Sequence, residues 1–285
     1  MYKYILYWLL IVFGTPTGGQ GQAIPENAIE KLNQVDWEEK TIAEGIVWKY
    51  GQFEDLFDSN QSITIFEVDL SNKKNKVAVP HVESGFAKTS EFGEKLGAIA
   101  AINGSFFNTK TGGSVVFLKD NDSIYTHTSG NSRDYRENAG FAMDQSGNVA
   151  VVHRPEEGWE TLDDYLTVLA SGPMLIHGDG PIEQKQEAFN LNRHPRTAIG
   201  MTDENKLIAV VVDGRNSNAH GMSMQELTAL MGALGCTRAM NLDGGGSSTA
   251  WVREHGVVNN PSDNKLFDHW GERAVANAIC FIVGQ

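Results

Sequence analysis

The chain has 285 residues and a formal net charge of −13, and 41% of its residues are hydrophobic. That length suits one large domain or two small ones, and the acidic balance argues against a general nucleic-acid binder, since phosphate backbones are bound by basic surfaces. The chain has only two cysteines, which excludes a disulfide-rich scaffold.

The N-terminal segment is typical of a secretion signal. One lysine precedes an apolar run from Tyr4 to Phe13, which is too short to span a bilayer, and Gly19-Gln20-Gly21 supplies a small-x-small cleavage pattern. We therefore predict a signal peptide over residues 1–22 and an exported protein, periplasmic or extracellular. No later stretch is apolar enough to insert the mature chain into a membrane.

The region that follows reads as a helix-like lead-in and then a series of strands. Residues 24–45 are polar and mildly helical, and the runs GIVWKYGQF, SITIFEVDL and NKVAVPHV are divided by polar turns, which is typical of antiparallel strands. The segment FAMDQSGNVAVV predicts a hairpin that turns at Ser146-Gly147-Asn148, and TVLASGPMLIHGDG predicts a strand with a glycine-rich end.

The C-terminal third changes character. KLIAVVVDGR predicts a strand covered on both faces, and SMQELTALMGALG predicts a helix with a capping box between Ser223 and Glu226 that stops at Gly235. TRAMNL follows as a strand. We therefore expect an α+β fold, a mixed, strand-rich sheet core with a few covering helices in a single domain, preceded by an N-terminal lead-in over residues 23–60.

Three apolar runs end in polar turns. GAIAAI leads into Asn103-Gly104, LIAVVV leads into Asp213-Gly214, and AMNL leads into Asp243 and the glycines at 244–246. Each instance alone is an ordinary tight turn. Because the ends of neighbouring strands are where sites gather, the three together predict a pocket.

The glycine run after Asp243 does not match known phosphate loops. No Gly-Lys-Ser/Thr follows it, so it is not a Walker loop, and its spacing does not fit a dinucleotide fingerprint. Two interpretations are left: a cradle of consecutive N–H groups for an anion, aided by hydroxyl groups, or a corner where two backbones approach closely.

Several basic side chains stand beside the predicted strand ends. Arg196, Arg215 and Arg273 carry guanidinium groups that can hold a phosphate in a bidentate way, and structural ion pairs are the alternative for each. His194 lies next to them in the sequence.

In this order, the segments NGSFFN, SGPMLI, RHPRTAIG, DGR, GMSMQEL, MNLDGGGSST and ERAVANAI resemble the phosphodiester glycosidase family. Members of that family remove N-acetylglucosamine from a sugar phosphodiester by cutting between the anomeric carbon and the phosphate oxygen. The resemblance implies a catalytic domain over residues 61–285, and a phosphorylated glycan or sugar-1-phosphodiester as substrate.

The resemblance and the residue chemistry together suggest roles. We expect Asp243 or Asp213 to act as nucleophile or water-activating base, and Asn103 to hydrogen-bond the sugar. The expected phosphate and substrate contacts are Arg196, Arg215, Arg273, Gly244, Gly245, Gly246, Ser247, Ser248 and His194.

Other readings stay open at this point. No cofactor and no metal site are predicted, although oxygen ligands at the strand ends leave calcium or magnesium possible. A metal-dependent phosphodiesterase that cleaves the P–O bond and a non-catalytic glycan-binding protein of the cell envelope are the alternatives. The sequence decides neither a disulfide between Cys236 and Cys280 nor the oligomeric state.

Overall fold

The computed structural model describes residues 26–128, 134–178 and 180–284. The predicted signal peptide lies outside these ranges. Within them the strands form an eight-stranded sheet, two five-stranded sheets and a two-stranded ribbon, and the paired strands run antiparallel. This strand-rich core with a few helices confirms the predicted α+β class.

The described ranges contain the α-helices α1 (Glu26–Asn33), α2 (Thr89–Leu96), α3 (Ala188–Leu191) and α4 (Met224–Ala233). Their strands are β1 (Glu38–Ala43), β2 (Ile46–Phe53), β3 (Gln61–Asp69), β4 (Asn75–Ala78), β5 (Ala87–Lys88), β6 (Ala100–Asn103), β7 (Leu118–Asp120), β8 (Ser123–Thr126), β9 (Ala139–Asp144), β10 (Val149–His153), β11 (Tyr165–Ser171), β12 (Met174–His177), β13 (Gly180–Pro181), β14 (Arg196–Thr202), β15 (Lys206–Val212), β16 (Cys236–Asn241), β17 (Ala250–Val252), β18 (Gly256–Val257), β19 (Ala274–Val275) and β20 (Ala278–Val283).

The eight-stranded sheet has the order β1-β2-β3-β15-β14-β16-β12-β13, and both of its faces are covered at β15. Leu207, Ala209 and Val211 of that strand point into a core shared with the five-stranded sheets, whereas Ile208 and Val210 point into a second core under α4. Alternate side chains of a strand point to opposite faces. The predicted doubly covered strand is therefore confirmed.

Helix α4 connects β15 to β16, and both strands pair antiparallel with β14, which lies between them. The helix begins with the predicted capping box: the Ser223 hydroxyl accepts from the Glu226 N–H at 3.2 Å, and the Glu226 carboxylate accepts from the Ser223 N–H at 2.8 Å. This local signal was readable in the sequence because a capping box depends on residues three apart.

The lead-in is more structured than its sequence indicates. Helix α1 ends at Asn33, and β1 and β2 extend the large sheet beyond β3. Strand β1 escaped prediction because it is an edge strand with the charged and largely exposed sequence EEKTIA, which lacks an apolar face. Residues 38–53 thus belong to the same sheet as β3.

Cys236 and Cys280 are both free thiols, on β16 and β20 of different sheets. Burial raises the pKa of each thiol to about 12, so both stay protonated. Within the described ranges, no helix has the length and apolar character needed to cross a bilayer.

Candidate functional site

The turns after β6, β15 and β16 meet, as the sequence predicted. The Asn103 Nδ2 donates to the Asp243 carbonyl at 2.7 Å, and the Asp243 N–H donates to the Gly104 carbonyl at 3.0 Å. Asn259 links the turn after β15 to the segment that follows β16, because its Nδ2 donates to both the Asp213 carboxylate and the Ser248 carbonyl. Side chains more than a hundred residues apart in the sequence therefore form one cluster.

Asp243 is the partly exposed carboxylate of this cluster. Its Oδ1 accepts from the Gly244 N–H at 2.9 Å. Burial raises the pKa of the Asp243 carboxyl to about 6, against the opposing effects of the Ser247 hydroxyl, the Gly244 N–H and the charges of Arg273 and Arg136. A partly exposed carboxyl with a raised pKa is suited to take a proton or attack carbon near neutral pH.

Asp213 has a different environment, although sequence analysis could not separate the two aspartates. Its side chain is 1% exposed. Four donors saturate it: the Ser62 hydroxyl, the Asn259 amide, and the N–H and amide of Asn260, at 2.7 to 2.9 Å. Burial raises the pKa of Asp213, while these donors oppose the shift. Asp213 therefore joins the turn after β15 to strand β3 and to the loop at Asn259 and Asn260, and its expected role at the reacting carbon stays a prediction.

Asn103 also proves to be a brace. Its Nδ2 donates to the Asp243 and Gly104 carbonyls, and its Oδ1 accepts from the Thr197 hydroxyl at 2.7 Å and the Thr249 N–H at 3.1 Å. A primary amide has two donor hydrogens and two lone pairs, and all four are in use. These contacts position Asp243, and the expected hydrogen bond from Asn103 to a sugar stays a prediction.

Arg196 lies below the surface with 1% of its area exposed. Its Nε donates to the Met222 carbonyl at 2.8 Å, and its Nη2 donates to the Phe189 and Asn192 carbonyls. Burial lowers the pKa of Arg196 to about 9. This guanidinium thus holds the segment before β14 against the entry of α4, and its expected phosphate contact stays a prediction.

Arg215 and Arg273 occupy the space that side chains at the glycine run would fill. A Cβ on Gly245 would lie 2.9 Å from the Arg215 Nη2, and one on Gly246 would overlap the Arg273 guanidinium. Arg215 is exposed and has no hydrogen-bonding or acidic partner within the described part of the chain. Arg273 is held by Asp263, which accepts from its Nε and Nη2. Two guanidinium groups therefore lie beside a bare stretch of backbone next to Asp243.

The predicted N–H cradle is largely used within the protein. The Gly244 N–H donates to the Asp243 carboxylate and the Gly245 N–H to the Pro195 carbonyl, while the Ser247 and Ser248 N–H groups close the turns of a 3₁₀ helix over Gly245–Ser247. The Ser248 hydroxyl is buried and lacks a hydrogen-bond partner among the described residues. Because most N–H groups of this run already donate within the protein, we expect an anion to contact the flanking Arg215 and Arg273 instead.

The close approach of two backbones explains other glycines of the site. A Cβ on Gly244 would lie 2.7 Å from the Pro195 oxygen, and one on Gly214 would lie 2.8 Å from the Pro195 nitrogen. A Cβ on Gly221 would overlap the His194 carbonyl. The segment His194-Pro195 thus passes between three glycine backbones, as the corner interpretation of the sequence requires.

Two further side chains complete the surroundings of Asp243. His194 has a pKa below its ordinary value because of burial and then the charges of Arg196 and Arg215, so its ring is neutral at pH 7. Sequence analysis missed Arg136, whose guanidinium lies 4.1 Å from the Phe189 ring centroid and lowers the pKa of Asp243. No strand end or glycine marks that arginine, so no sequence signal singled it out.

Two surface grooves of the molecule lie away from this site. Two grooves of about 310 and 290 Å³ lie beside His81, and neither shares a residue with the Asp243 cluster. We place the site at Asp243 because the raised pKa and the guanidinium groups coincide there. In the described ranges, no group of three or more His, Cys, Asp or Glu side chains is arranged to hold a metal ion.

Comparison with protein families matches residues 96–282 to the phosphodiester glycosidase family. The bovine N-acetylglucosamine-1-phosphodiester alpha-N-acetylglucosaminidase is 26% identical over 210 residues, which cover 68% of this chain and 38% of the bovine protein. The SPbeta prophage-derived uncharacterized protein YomE of Bacillus subtilis is 38% identical over 87 residues, which cover 30% of this chain and 12% of that protein. The chain thus spans less than half the length of these relatives.

Solved structures share the fold. The zebrafish N-acetylglucosamine-1-phosphodiester alpha-N-acetylglucosaminidase catalytic domain, auto-inhibited by its pro-peptide, superposes with a TM-score of 0.63 at 19% identity and covers 93% of this chain and 87% of that chain. A hypothetical protein from Synechocystis has a TM-score of 0.66 at 15% identity, and the match covers 87% of this chain and 64% of that one.

Proposed function

This chain belongs to the phosphodiester glycosidase family, and we propose that it hydrolyses a sugar-1-phosphodiester of the N-acetylglucosamine-1-phospho type at the bond between the anomeric carbon and oxygen, releasing the sugar. The observation that carries the proposal is the position of Arg215 and Arg273 beside Gly245 and Gly246, next to Asp243. The bovine relative bears the name of such an activity.

The chemistry of the sugar–phosphate bond explains why one carboxylate, Asp243, and two guanidinium groups, Arg215 and Arg273, would suffice to break it. A phosphate monoester is a stable anion, so its departure from the anomeric carbon depends more on anion binding than on protonation by an acid. Arg215 and Arg273 supply positive charge for the developing phosphate. Asp243, the carboxylate beside these two arginines, then works on the carbon side of the bond.

Asp243 would take one of two roles in this reaction. As a base it removes a proton from water, whose oxygen bonds to the anomeric carbon while the carbon–oxygen bond to phosphate breaks and its electron pair stays on the phosphate. As a nucleophile its Oδ2 bonds to that carbon while the carbon–oxygen bond to phosphate breaks and the phosphate leaves with the electron pair; water then displaces the carboxylate and releases the sugar. Base catalysis inverts the anomeric configuration and the covalent route retains it, so proton NMR of the first-formed anomer distinguishes them.

The experiment that tests the proposal uses oxygen-18 water. The protein is incubated with UDP-N-acetylglucosamine, or with the methyl diester of N-acetylglucosamine 1-phosphate, with and without EDTA. We expect free N-acetylglucosamine and an unlabelled phosphate product, because water attacks carbon. Label on phosphorus, detected by its ³¹P NMR isotope shift, together with loss of activity in EDTA, would instead indicate a metal-dependent phosphodiesterase.

A matched variant makes the test specific. Asp243→Asn keeps the shape of the side chain and an oxygen that can accept from the Gly244 N–H, so we expect a folded protein without turnover. Substrate binding without product in the wild-type protein would indicate a glycan-binding protein. Full activity of the variant would remove Asp243 from the mechanism.

We further propose that the protein is exported, since the apolar N-terminal run has the length and flanks of a signal peptide. Secretion of the full chain from a bacterial host, followed by N-terminal sequencing of the mature product, tests this point. A mature N-terminus near residue 23 supports it, whereas an intact N-terminus in the cytoplasmic fraction contradicts it.

A further inference from the structure

Phe189, on the short helix α3, contacts two guanidinium groups of the candidate site. The centroid of its ring is 4.1 Å from the Arg136 Cζ and 4.9 Å from the Arg196 Cζ. Both cations lie over the ring, which is the geometry of a cation–π contact. One half-buried phenyl ring therefore joins two arginines that are far apart in the sequence.

The two arginines belong to segments on either side of the strand that leads to Asp243. Strand β16 lies between β14 and β12 in the large sheet, and Asp243 follows its end. Arg196 begins β14. The segment of Arg136 is braced against the start of β12, because the Asn138 Oδ1 accepts from the Met174 N–H at 2.8 Å. The two guanidinium groups, and the ring that they share, thus span the end of β16.

A third segment of the site contacts the same ring. Phe106 lies in the turn after β6, and its ring centroid is 6.4 Å from that of Phe189 in an edge-on arrangement. The Gly104 carbonyl of that turn accepts from the Asp243 N–H at 3.0 Å. Three of the segments that surround Asp243 therefore meet at Phe189.

The two cations depend on the ring to different degrees. Hydrogen bonds to three backbone carbonyls hold Arg196, so its position is set without the ring. Arg136 belongs to a separate segment, the 3₁₀ helix Asp134–Glu137, and the Phe189 ring ties its guanidinium to α3. The two positive charges repel, and the attraction of each cation to the face of the ring opposes that repulsion.

We propose that Phe189 is a positioning residue that holds the Arg136 guanidinium near Asp243, where its positive charge favours the carboxylate form of that residue. Burial raises the pKa of the Asp243 carboxyl, and the charge of Arg136 opposes the rise. The effect on turnover rests on the proposed function, in which this carboxylate is the base or the nucleophile. The placement of the charge does not depend on that function.

The other charged and titratable side chains around Asp243 lie on separate segments of the site: Arg273 with its partner Asp263, Arg215, His194 and Arg196. Among these described side chains only Arg196 shares the Phe189 ring. Its hydrogen bonds to backbone carbonyls stay in place when the ring is changed. Replacing the ring therefore alters the charge near Asp243 through Arg136.

The kinetic test replaces the ring by side chains with and without an aromatic face. In Phe189→Leu we expect the rise of kcat/KM to move to higher pH by on the order of half a unit, the size of one partly screened charge interaction, as in Arg136→Gln. Phe189→Tyr keeps the face and should keep the wild-type profile. The double variant of Phe189→Leu and Arg136→Gln should shift no further than either single variant, because both remove the same interaction.

Two further variants support this comparison. Leu191→Ala truncates an exposed side chain of the same helix and is the matched control, which should leave the profile unchanged. Phe189→Met is measured in parallel with Phe189→Leu, so that the result does not depend on the folding of one variant. Thermal unfolding of each protein checks that it is folded.

A second measurement is independent of turnover. The pKa of Asp243 is read from carbon-13 NMR of labelled aspartate carboxyl groups, with the signal assigned by its loss in Asp243→Asn. A higher pKa in Phe189→Leu than in wild type supports the inference even if no sugar phosphodiester is hydrolysed. An unchanged pKa, an equal shift in Phe189→Tyr, or a shift that adds in full to that of Arg136→Gln overturns it and leaves the proposed function intact.

Discussion

The Asn103 side chain donates a hydrogen bond of 2.7 Å to the main-chain carbonyl of Asp243, a residue 140 positions further along the chain. The bond joins the end of β6 to the turn after β16, and it fixes the backbone from which the Asp243 carboxylate projects. Its effect on catalysis is therefore expected to be indirect, through position, rather than by contact with a substrate.

Removing this amide should cost stability. Asn103→Ala leaves two carbonyls, the Thr197 hydroxyl and the Thr249 N–H without their partner, so we expect the free energy of unfolding to fall by about 2–4 kcal/mol in urea denaturation, with a lower kcat. Asn218→Ala, at an exposed position, is the control. A variant with wild-type stability and only a raised KM would restore the prediction that Asn103 binds the sugar.

Activity should depend on the protonation of Asp243. Because the carboxylate form is required and burial raises its pKa to about 6, kcat/KM is expected to rise with pH through about 6 and then level off. Arg136 lowers this pKa, so Arg136→Gln should move the rise to higher pH. A profile that falls through pH 6, or an unchanged profile in Arg136→Gln, would contradict this assignment.

The same carboxyl should reduce stability at neutral pH. Its pKa of about 6 in the folded protein exceeds the ordinary 3.8, so the folded state binds the proton more tightly and stability decreases as pH rises from about 4 to about 6. Asp243→Asn lacks this loss. We expect it to be more stable than wild type by about 1–2 kcal/mol at pH 7 and equal to it near pH 4, as measured by thermal unfolding in matched buffers. Equal stability of the two proteins at pH 7 would argue against the raised pKa.

Asp213 should show the opposite response. Asp213→Asn replaces one carboxylate oxygen with an NH₂ group, which would face the N–H donors of Asn259 and Asn260 in a buried site. We therefore expect the free energy of unfolding to fall by about 2–5 kcal/mol. The folded fraction should keep most of its kcat. A stable variant without turnover would return Asp213 to the reacting carbon.

The two arginines should differ in their response to truncation. Arg215 is exposed and unpaired in the described structure, so Arg215→Ala should raise KM about tenfold or more with unfolding free energy unchanged within about 0.5 kcal/mol. Arg273→Ala leaves Asp263 uncompensated beside the anion, so the loss should be larger, and adding Asp263→Asn should recover part of it. No recovery in the double variant would mean that Asp263 does not face the phosphate.

Local and periodic signals in the sequence predicted much of this molecule. The capping box at Ser223, the hairpin at Gly147 and the alternating faces of β15 depend on neighbours in the chain, and the structure confirms each. The meeting of the three polar turns could also be predicted, because each turn follows a strand of a covered sheet.

The division of work among the site residues could not be predicted. Asn103, Asp213 and Arg196 have the residue types that a catalytic site uses, but their donors and acceptors are filled by partners such as Asn259, Asn260 and Met222. Which hydrogen-bonding groups stay free is a property of the assembled loops. For the same reason Arg136 emerged only from the fold.

The passage of His194-Pro195 between Gly214, Gly221 and Gly244 has a consequence for how this protein can change over evolutionary time. None of the three positions has room for a methyl group unless the proline segment moves, and that movement would disturb the other two contacts. Substitution of any one of these glycines by a larger residue therefore requires compensating changes around the other two. We therefore expect the three turns to change together, whereas Gly147 and Gly178, with open space around them, can change independently within the limits of their left-handed backbone.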